Sequence, residues 1–462
     1  MFSQRRSVVS RLFLSFLTIV AGPLISSPRP QDLIISIEPA QALFGTPFTM
    51  IISGLKPGEH AGLKARAIDY DGTIWESQAT FEADRDGAID LASQAPLSGG
   101  YSEADVMGML WSMRPTNSWR KAQSYMGSSH GTKVRYVLTD SNGRTASAFL
   151  QRYYQMPEQG LVSVPLDANG CKGFLYYPET GGPFPGLILL GGSSGGMSLT
   201  MARTLASNGF ATLALAYFRY PELPGWLVEI PLEYFKGAIE WLKTQPAVRK
   251  AKLGLVGHSK GGECALLLAS LYDEFSAVVG LVPSAYVWKG VTPQAKSSWT
   301  MSGNALPFLS TVETEEEVQQ FIRGEATSIR KWYANGLAAA PPDLIDQTRI
   351  RVEKIRAPLF LVSDRDDRTW PSAEFCAAII QRLKEKGFGY EVKHVRGENA
   401  GHQVYWPSYI PGDDAGVEGG TPRDKAKWSL IAWKETLSFL HRYLDTKPGN
   451  KSQGGKEPES RY

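Results

Sequence analysis

Residues Leu253–Ser270 read LGLVGHSKGGECALLLAS. An apolar run, Leu253–Val256, leads into Gly257-His258-Ser259-Lys260-Gly261, and an amphipathic segment follows at once. The pentapeptide fits G-x-S-x-G, in which a serine sits on a sharp strand-to-helix corner and glycines on either side let neighbouring backbone pass close by. The start of the helix leaves N–H groups unpaired near the serine oxygen, where negative charge can develop. A pentapeptide of this kind is common by chance, and its bland reading is a βα turn whose serine caps a helix. The strand before it and the helix after it supply the context the catalytic reading requires.

Outward from this corner the chain alternates. GPFPGLILLGG, ATLALAYF, KLGLVGH, FSAVVGLVP, APLFLVSD and YEVKHVRG read as strands, and SLTMARTLASNGF and IPLEYFKGAIEWLKTQP as helices between them. Apolar strands alternating with helices predict a mostly parallel sheet covered on both faces. We therefore expect an α/β-hydrolase domain over 156–445. Before it, LIISIEP, FTMIISGL, GLKARAIDYDG, TIWESQATFEADRDG and TKVRYVLTDSNG are short β-rich runs separated by turns such as Asp71-Gly72 and Asn142-Gly143. That spacing predicts an all-β, immunoglobulin-like sandwich over 33–155. The polar 446–462 segment is expected to be a disordered tail.

Length and composition agree with two globular domains: 462 residues, 43% hydrophobic and 21% charged. A net charge of +3, spread over both halves, gives no reason to expect nucleic acid or an anionic membrane as a partner. Cys171, Cys264 and Cys376 lack metal-ligand spacing and are expected as ordinary thiols. At the amino terminus Arg5, Arg6 and Arg11 precede an apolar run from Leu12 to Ala21 that Gly22-Pro23 breaks. This is the order of a secretory signal, with a run too short for a comfortable membrane span of about 20 residues. Residues 1–32 are therefore read as a signal-like leader, and the protein as exported to a periplasm or secreted, without an integral membrane span in the mature chain.

A serine hydroxyl needs a base, and the base an orienting acid, in the chain order Ser, Asp or Glu, His. His402 follows the polar loop GENAG after a strand and is the expected base. His394, within YEVKHVRG, reads as a strand residue facing solvent, His441 as a surface residue, and His60 and His130 belong to the β domain. The acid is expected just past the strand in APLFLVSDRDDRTWPS, which offers Asp364, Asp366 and Asp367. Asp367 is the first choice and Asp366 the runner-up; the bland alternative is a helix cap. Two backbone N–H groups would hold an oxyanion, that of Lys260 and one from the loop LILLGGSSGGMS, assigned to Ser193. That loop lacks the lysine and Ser/Thr of a phosphate-binding loop. Between the serine and the acid, SAYVWKGVTPQAKSSWTMSGNALPFL is read as part of a cap over an acyl pocket.

With these residues in place, the chain from about Ile34 to Leu444 resembles the acyl-CoA thioesterase and bile acid-CoA:amino acid N-acyltransferase family. The likeness runs through ISGLKPGEHAGLKARAIDYDG and GMLWSMRP in the β domain. In the second domain it runs through LASNGFATLALAYFRYPELP, LEYFKGAIEWL, GLVGHSKGGECALLLAS, DDRTWPS, GHQVYWPSY and GGTPRDKAKWSLIAWKETLSFL. The resemblance implies a Ser259–Asp367–His402 triad and hydrolysis of an acyl-CoA thioester through an acyl-enzyme. The amino-acid-conjugating branch uses a cysteine where this chain has Ser259, so hydrolysis is expected ahead of N-acyl transfer, and Cys264, further along the helix, is expected to be packed. Family thioesterases act where acyl-CoA is found, which the leader does not match; an exported carboxylesterase using the same triad is the alternative. The expected partner is a small-molecule thioester or ester, and no cofactor or metal is expected.

Overall fold

The computed structural model describes residues 32–116, 125, 127–292, 294–412 and 416–445. The signal-like leader, apart from residue 32, and the tail read from the sequence lie outside these. The amino-terminal half is built from strands whose side chains alternate between solvent and core, as in His60–Ile68, where every second residue is buried. That alternation is what an antiparallel sheet with one wet face requires. Three strands, Ile34–Glu38, Thr49–Ser53 and Ile89–Asp90, form one sheet. A larger sheet runs through Gln41–Leu43, Thr145–Tyr153, Gly131–Asp140, His60–Ile68 and Ile74–Glu82. Met50, Ile52, Leu63, Trp75, Phe81 and Tyr136 are fully buried in the shared core of this half.

From Leu161 onward one eight-stranded sheet organises the chain. Its strands are β1 (Leu161–Ala168), β2 (Cys171–Pro178), β3 (Gly186–Leu190), β4 (Ala211–Ala216), β5 (Leu253–His258), β6 (Phe275–Leu281), β7 (Leu359–Asp364) and β8 (Val392–Gly397). The spatial order is β1-β2-β4-β3-β5-β6-β7-β8. β1 and β2 form an antiparallel hairpin, β2 is antiparallel to β4, and every later pairing is parallel. β3, β4 and β7 are buried at every residue, because helices cover both faces and leave no wet side to alternate toward. Apolar clusters lie on both sides of the sheet. This is an α/β-hydrolase sheet following a domain that is mostly strands, with one short helix, Gly108–Trp111. Among the described residues no helix is long and apolar enough to cross a membrane.

The two halves share side chains. Tyr409, Ile410 and Ala426, all late in the chain, belong to the core of the β domain. Tyr409 accepts the Gly45 N–H at 2.9 Å, and Arg203 donates to the Ser129 carbonyl at 3.0 Å.

At the end of β5 the chain turns within one residue. Ser259 has φ 54° and ψ −119° and precedes the helix Lys260–Leu271; its N–H donates to the Leu281 carbonyl at 2.8 Å. A β-carbon on residue 261 would lie 2.3 Å from the Gly191 carbonyl oxygen and 2.6 Å from that of Leu190. These are backbone atoms at the carboxyl end of a central strand and have nowhere to go. Gly261→Ala is therefore expected to cost about 1–3 kcal/mol of stability, measured as a lowered denaturant midpoint with an unchanged slope.

Candidate active site

Three sequence-selected side chains meet at the carboxyl ends of β5, β7 and β8. His402 Nε2 lies 3.0 Å from Ser259 Oγ. His402 Nδ1 lies 2.9 Å from Asp367 Oδ2. The other oxygen of Asp367 accepts the Thr369 and Trp370 N–H groups at 3.0 and 3.2 Å, which aims the free oxygen at the imidazole. Ser259 and His402 are each 5% exposed and Asp367 is 0% exposed. With Nδ1–H donating to the carboxylate, Nε2 is left to accept the serine proton.

The neighbouring carboxylates do different work. Asp366 accepts the Gly420 N–H at 2.8 Å and pairs with Arg368 Nε at 3.0 Å, so it braces the 416–420 segment and does not reach His402. Asp364 accepts the N–H groups of Asp366 and Ala400 at 2.8 and 2.9 Å. Burial pushes it up to about 6, against the pull of those N–H groups. Its bond to Ala400, with His402 N–H donating to the Glu418 carbonyl at 2.7 Å, holds the loop that presents the imidazole.

Burial works against a charged His402, but the charge and hydrogen bond of Asp367, aided by Glu418, outweigh it and hold the imidazole above its ordinary value. His258, half-buried with its ring 5.3 Å from that of His402, is pushed well down by burial and then by the His402 charge. It adds no positive charge beside Ser259.

The glycine-rich loop after β3 lies against Ser259 through Gly192, where an added β-carbon would sit 3.2 Å from Ser259 Cβ. Ser193 follows, exposed, and the Tyr217 hydroxyl ties the loop by donating to the Gly191 carbonyl at 2.5 Å. Among the described residues neither the Ser193 nor the Lys260 N–H donates to another group, so both remain open to an incoming oxygen.

One placement differs from the sequence reading. His394 does not simply face solvent: it is half-buried, 2.8 Å from Ser363 Oγ, and burial pushes it down to about 4, because it lies on the face of the sheet that packs Val392 against the helix Ser372–Glu385. His441 is at the surface, its ring 4.5 Å from that of Phe210. His60 and His130 stay in the β domain, and all three cysteines are buried and unpaired.

What sequence reasoning missed is the side chain of Lys260. It lies 2.7 Å from Glu263, and both are buried. The same Glu263 oxygen accepts the Trp299 indole N–H at 2.8 Å, while Lys260 donates to the Trp288 carbonyl at 3.3 Å. A buried ion pair adds little net stability; what it supplies is geometry, tying the first turn after Ser259 to the segment read as a cap. Its trace in the sequence is a Lys and a Glu three apart in an otherwise apolar helix.

Residues 230–446 match the model described as BAAT / Acyl-CoA thioester hydrolase C terminal. Residues 45–164 match that of the Acyl-CoA thioester hydrolase/BAAT N-terminal region. The chain belongs to the acyl-CoA thioester hydrolase/BAAT family. Acyl-coenzyme A thioesterase 2, mitochondrial, of Mus musculus is 28% identical over 428 residues, 89% of this chain and 90% of that protein. Acyl-coenzyme A thioesterase 1 of Rattus norvegicus is 28% identical over 439 residues, 92% and 99% respectively. A solved dienelactone hydrolase-like promiscuous phosphotriesterase from metagenomic libraries is 16% identical, covering 62% of this chain and 99% of its own, at a TM-score of 0.38.

The raised pKa of His402 has a direction that can be measured. A base must be neutral to accept the serine proton, so activity falls as pH drops through the His402 pKa, with the acid limb of kcat/KM above the ordinary imidazole value. Asp367→Asn removes the charge that raises it, so the limb should move to lower pH while kcat falls on the order of 10⁴-fold. The pH profile of both proteins on one substrate checks both effects.

Proposed function

We propose that this protein hydrolyses acyl-CoA thioesters through an acyl-enzyme on Ser259. The observation that carries the reading is the continuous hydrogen-bonded line from Asp367 through His402 to Ser259, at 2.9 and 3.0 Å. It lies in a chain whose curated relatives are acyl-coenzyme A thioesterases over nine-tenths of its length.

The steps follow from the geometry. His402 Nε2 takes the Ser259 proton as Oγ bonds to the thioester carbonyl carbon, and Asp367 stabilises the imidazolium. The carbonyl oxygen becomes an oxyanion and accepts the Lys260 and Ser193 N–H groups, each worth about 3–4 kcal/mol of barrier. The tetrahedral centre collapses, the C–S bond breaks, and the thiol leaves with the proton from His402. Water then attacks the acyl ester, His402 takes its proton, and the carboxylic acid is released with Ser259 restored. Serine at position 259 favours water over an amino acid as acceptor.

A second reading rests on the arginines and apolar run of residues 5–21. If the chain is exported, it works away from the coenzyme A pool, and the same triad would act on oxygen esters as a carboxylesterase. The mature amino terminus and the cell fraction holding the protein test the export, and a panel of palmitoyl-CoA against p-nitrophenyl esters separates the substrates. Ser259→Ala should lower turnover of the preferred substrate by about 10⁵-fold or more and abolish labelling by a fluorophosphonate probe, with an unchanged melting profile. Turnover persisting in that variant would remove Ser259 from the mechanism.

A further inference from the structure

Lys260 and Glu263 stand one turn apart at the start of the helix that follows Ser259, 3% and 0% exposed. One carboxylate oxygen, Glu263 Oε1, gathers donors from three segments. It accepts the Lys260 ammonium at 2.7 Å, the Trp299 indole N–H at 2.8 Å and, at 3.4 Å, the Trp288 N–H. Its other oxygen, Oε2, is buried and accepts no hydrogen bond among the described residues. Burial pushes the Glu263 carboxyl up and the Lys260 ammonium down, against their mutual attraction. Two apolar side chains of similar volume would hold the same corner without that opposition. The fold alone does not call for this pair.

What hangs from Glu263 gives it a different use. On one side is Lys260, whose side chain it fixes and whose backbone N–H faces the incoming oxygen. On the other side is Trp299, which packs on Tyr217 with ring centroids 5.9 Å apart. The Tyr217 hydroxyl donates to the Gly191 carbonyl at 2.5 Å and so ties down the loop that carries Ser193. Both oxyanion donors therefore trace to one carboxylate, Lys260 directly and Ser193 by way of Trp299 and Tyr217. Such donors act fully only when they are in place before the charge develops. A misplacement of about 1 Å can cost about 10²-fold in rate.

We propose that Glu263 is a positioning residue for the oxyanion hole, setting the Lys260 N–H through the buried ion pair and the Ser193 loop through Trp299 and Tyr217. The proposal rests on acyl transfer at Ser259 as read above, and it holds equally for an acyl group carried on sulfur or on oxygen. Glu263 acts through Lys260 and Trp299 and not on the substrate. It governs how well the charge on the carbonyl oxygen is received, and hence kcat, while the acyl chain is held elsewhere.

The test uses two ketones with the same chain. Ser259 Oγ adds to the carbonyl carbon of octyl trifluoromethyl ketone, its proton passes to His402, and the carbonyl oxygen becomes the oxyanion of a stable adduct. Octyl methyl ketone binds without adding. The quantity read is the ratio of their dissociation constants, by calorimetric titration of wild type and two variants. Glu263→Gln keeps an acceptor for both tryptophans but removes the charge that holds Lys260. Trp299→Phe keeps the ion pair and removes the indole N–H that joins it to the Tyr217 side. The expected result is that the trifluoromethyl ketone weakens about tenfold or more in Glu263→Gln and by a smaller factor in Trp299→Phe, with the methyl ketone unmoved and, on any substrate turned over, kcat lowered at constant KM. A merely structural role lowers the melting temperature and moves both ketones together. A change of about threefold or more in the ratio in either variant upholds the proposal, and a smaller change in both overturns it. Should Glu263→Gln not fold, Trp299→Phe decides by the same threshold. A wild type that binds the two ketones alike overturns the Ser259 adduct and this proposal with it. A wild type that discriminates, beside variants that discriminate equally, overturns the role of Glu263 alone.

Discussion

Gly261 brings the first turn of the helix after Ser259 within a few ångströms of the Leu190 and Gly191 carbonyls, closer than any β-carbon allows, and the rest of the site is arranged around that contact. It sets the end of β5 against the loop after β3, so one corner presents both a serine oxygen and unpaired backbone N–H groups. Gly257 meets the same constraint from the other side: a β-carbon there would lie 2.0 Å from the Gly261 carbonyl. Ser259, between them, takes a positive φ that a residue with a side chain adopts only when its surroundings over-determine it. Here those surroundings are a hydrogen bond to Leu281 and a helix packed against the sheet.

Around this corner the charges are sorted by backbone. Asp364, Asp366 and Asp367 stand within four residues, yet each meets a different set of donors. Asp364 spends its oxygens on main-chain N–H groups of its own turn and of the His402 loop, Asp366 on Gly420 and Arg368, and only Asp367 turns an oxygen to the imidazole. A carboxylate's role therefore comes from the N–H groups around it and not from its place along the strand end. The buried Lys260–Glu263 pair follows the same logic. Its value is directional, fixing the helix start to Trp288 and Trp299.

The β domain is more than an appendage to this arrangement. Its core takes in Tyr409 and Ile410 from the segment just after His402, and the Tyr409 hydroxyl receives the Gly45 N–H. The imidazole is thus held on one side by β7 and its turn and on the other by a loop anchored in the neighbouring domain. Aromatic packing of Phe44 on Trp406, with centroids 5.2 Å apart, makes the interface one continuous packed surface.

The order of strands and helices, the corner at Ser259 and the choice of His402 were legible along the chain, because each leaves a local mark: apolar runs of strand length, glycines at a tight turn, a histidine in a polar loop after a strand. The choice among three aspartates was narrowed but left open by the sequence, since all three end the same strand. What lay beyond it were contacts between distant residues. The partial burial of His394 depends on Ser363 of the neighbouring strand and on the helix Ser372–Glu385 that covers that face, and the interdomain core depends on a loop that leaves one domain to complete another. The burial of the Lys260 side chain depends on Trp288 and Trp299 being folded over it. Local periodicity and turn chemistry set the elements by themselves; which carboxylate meets the imidazole, and which charges lose their water, was decided only when segments far apart in the chain excluded solvent from one another.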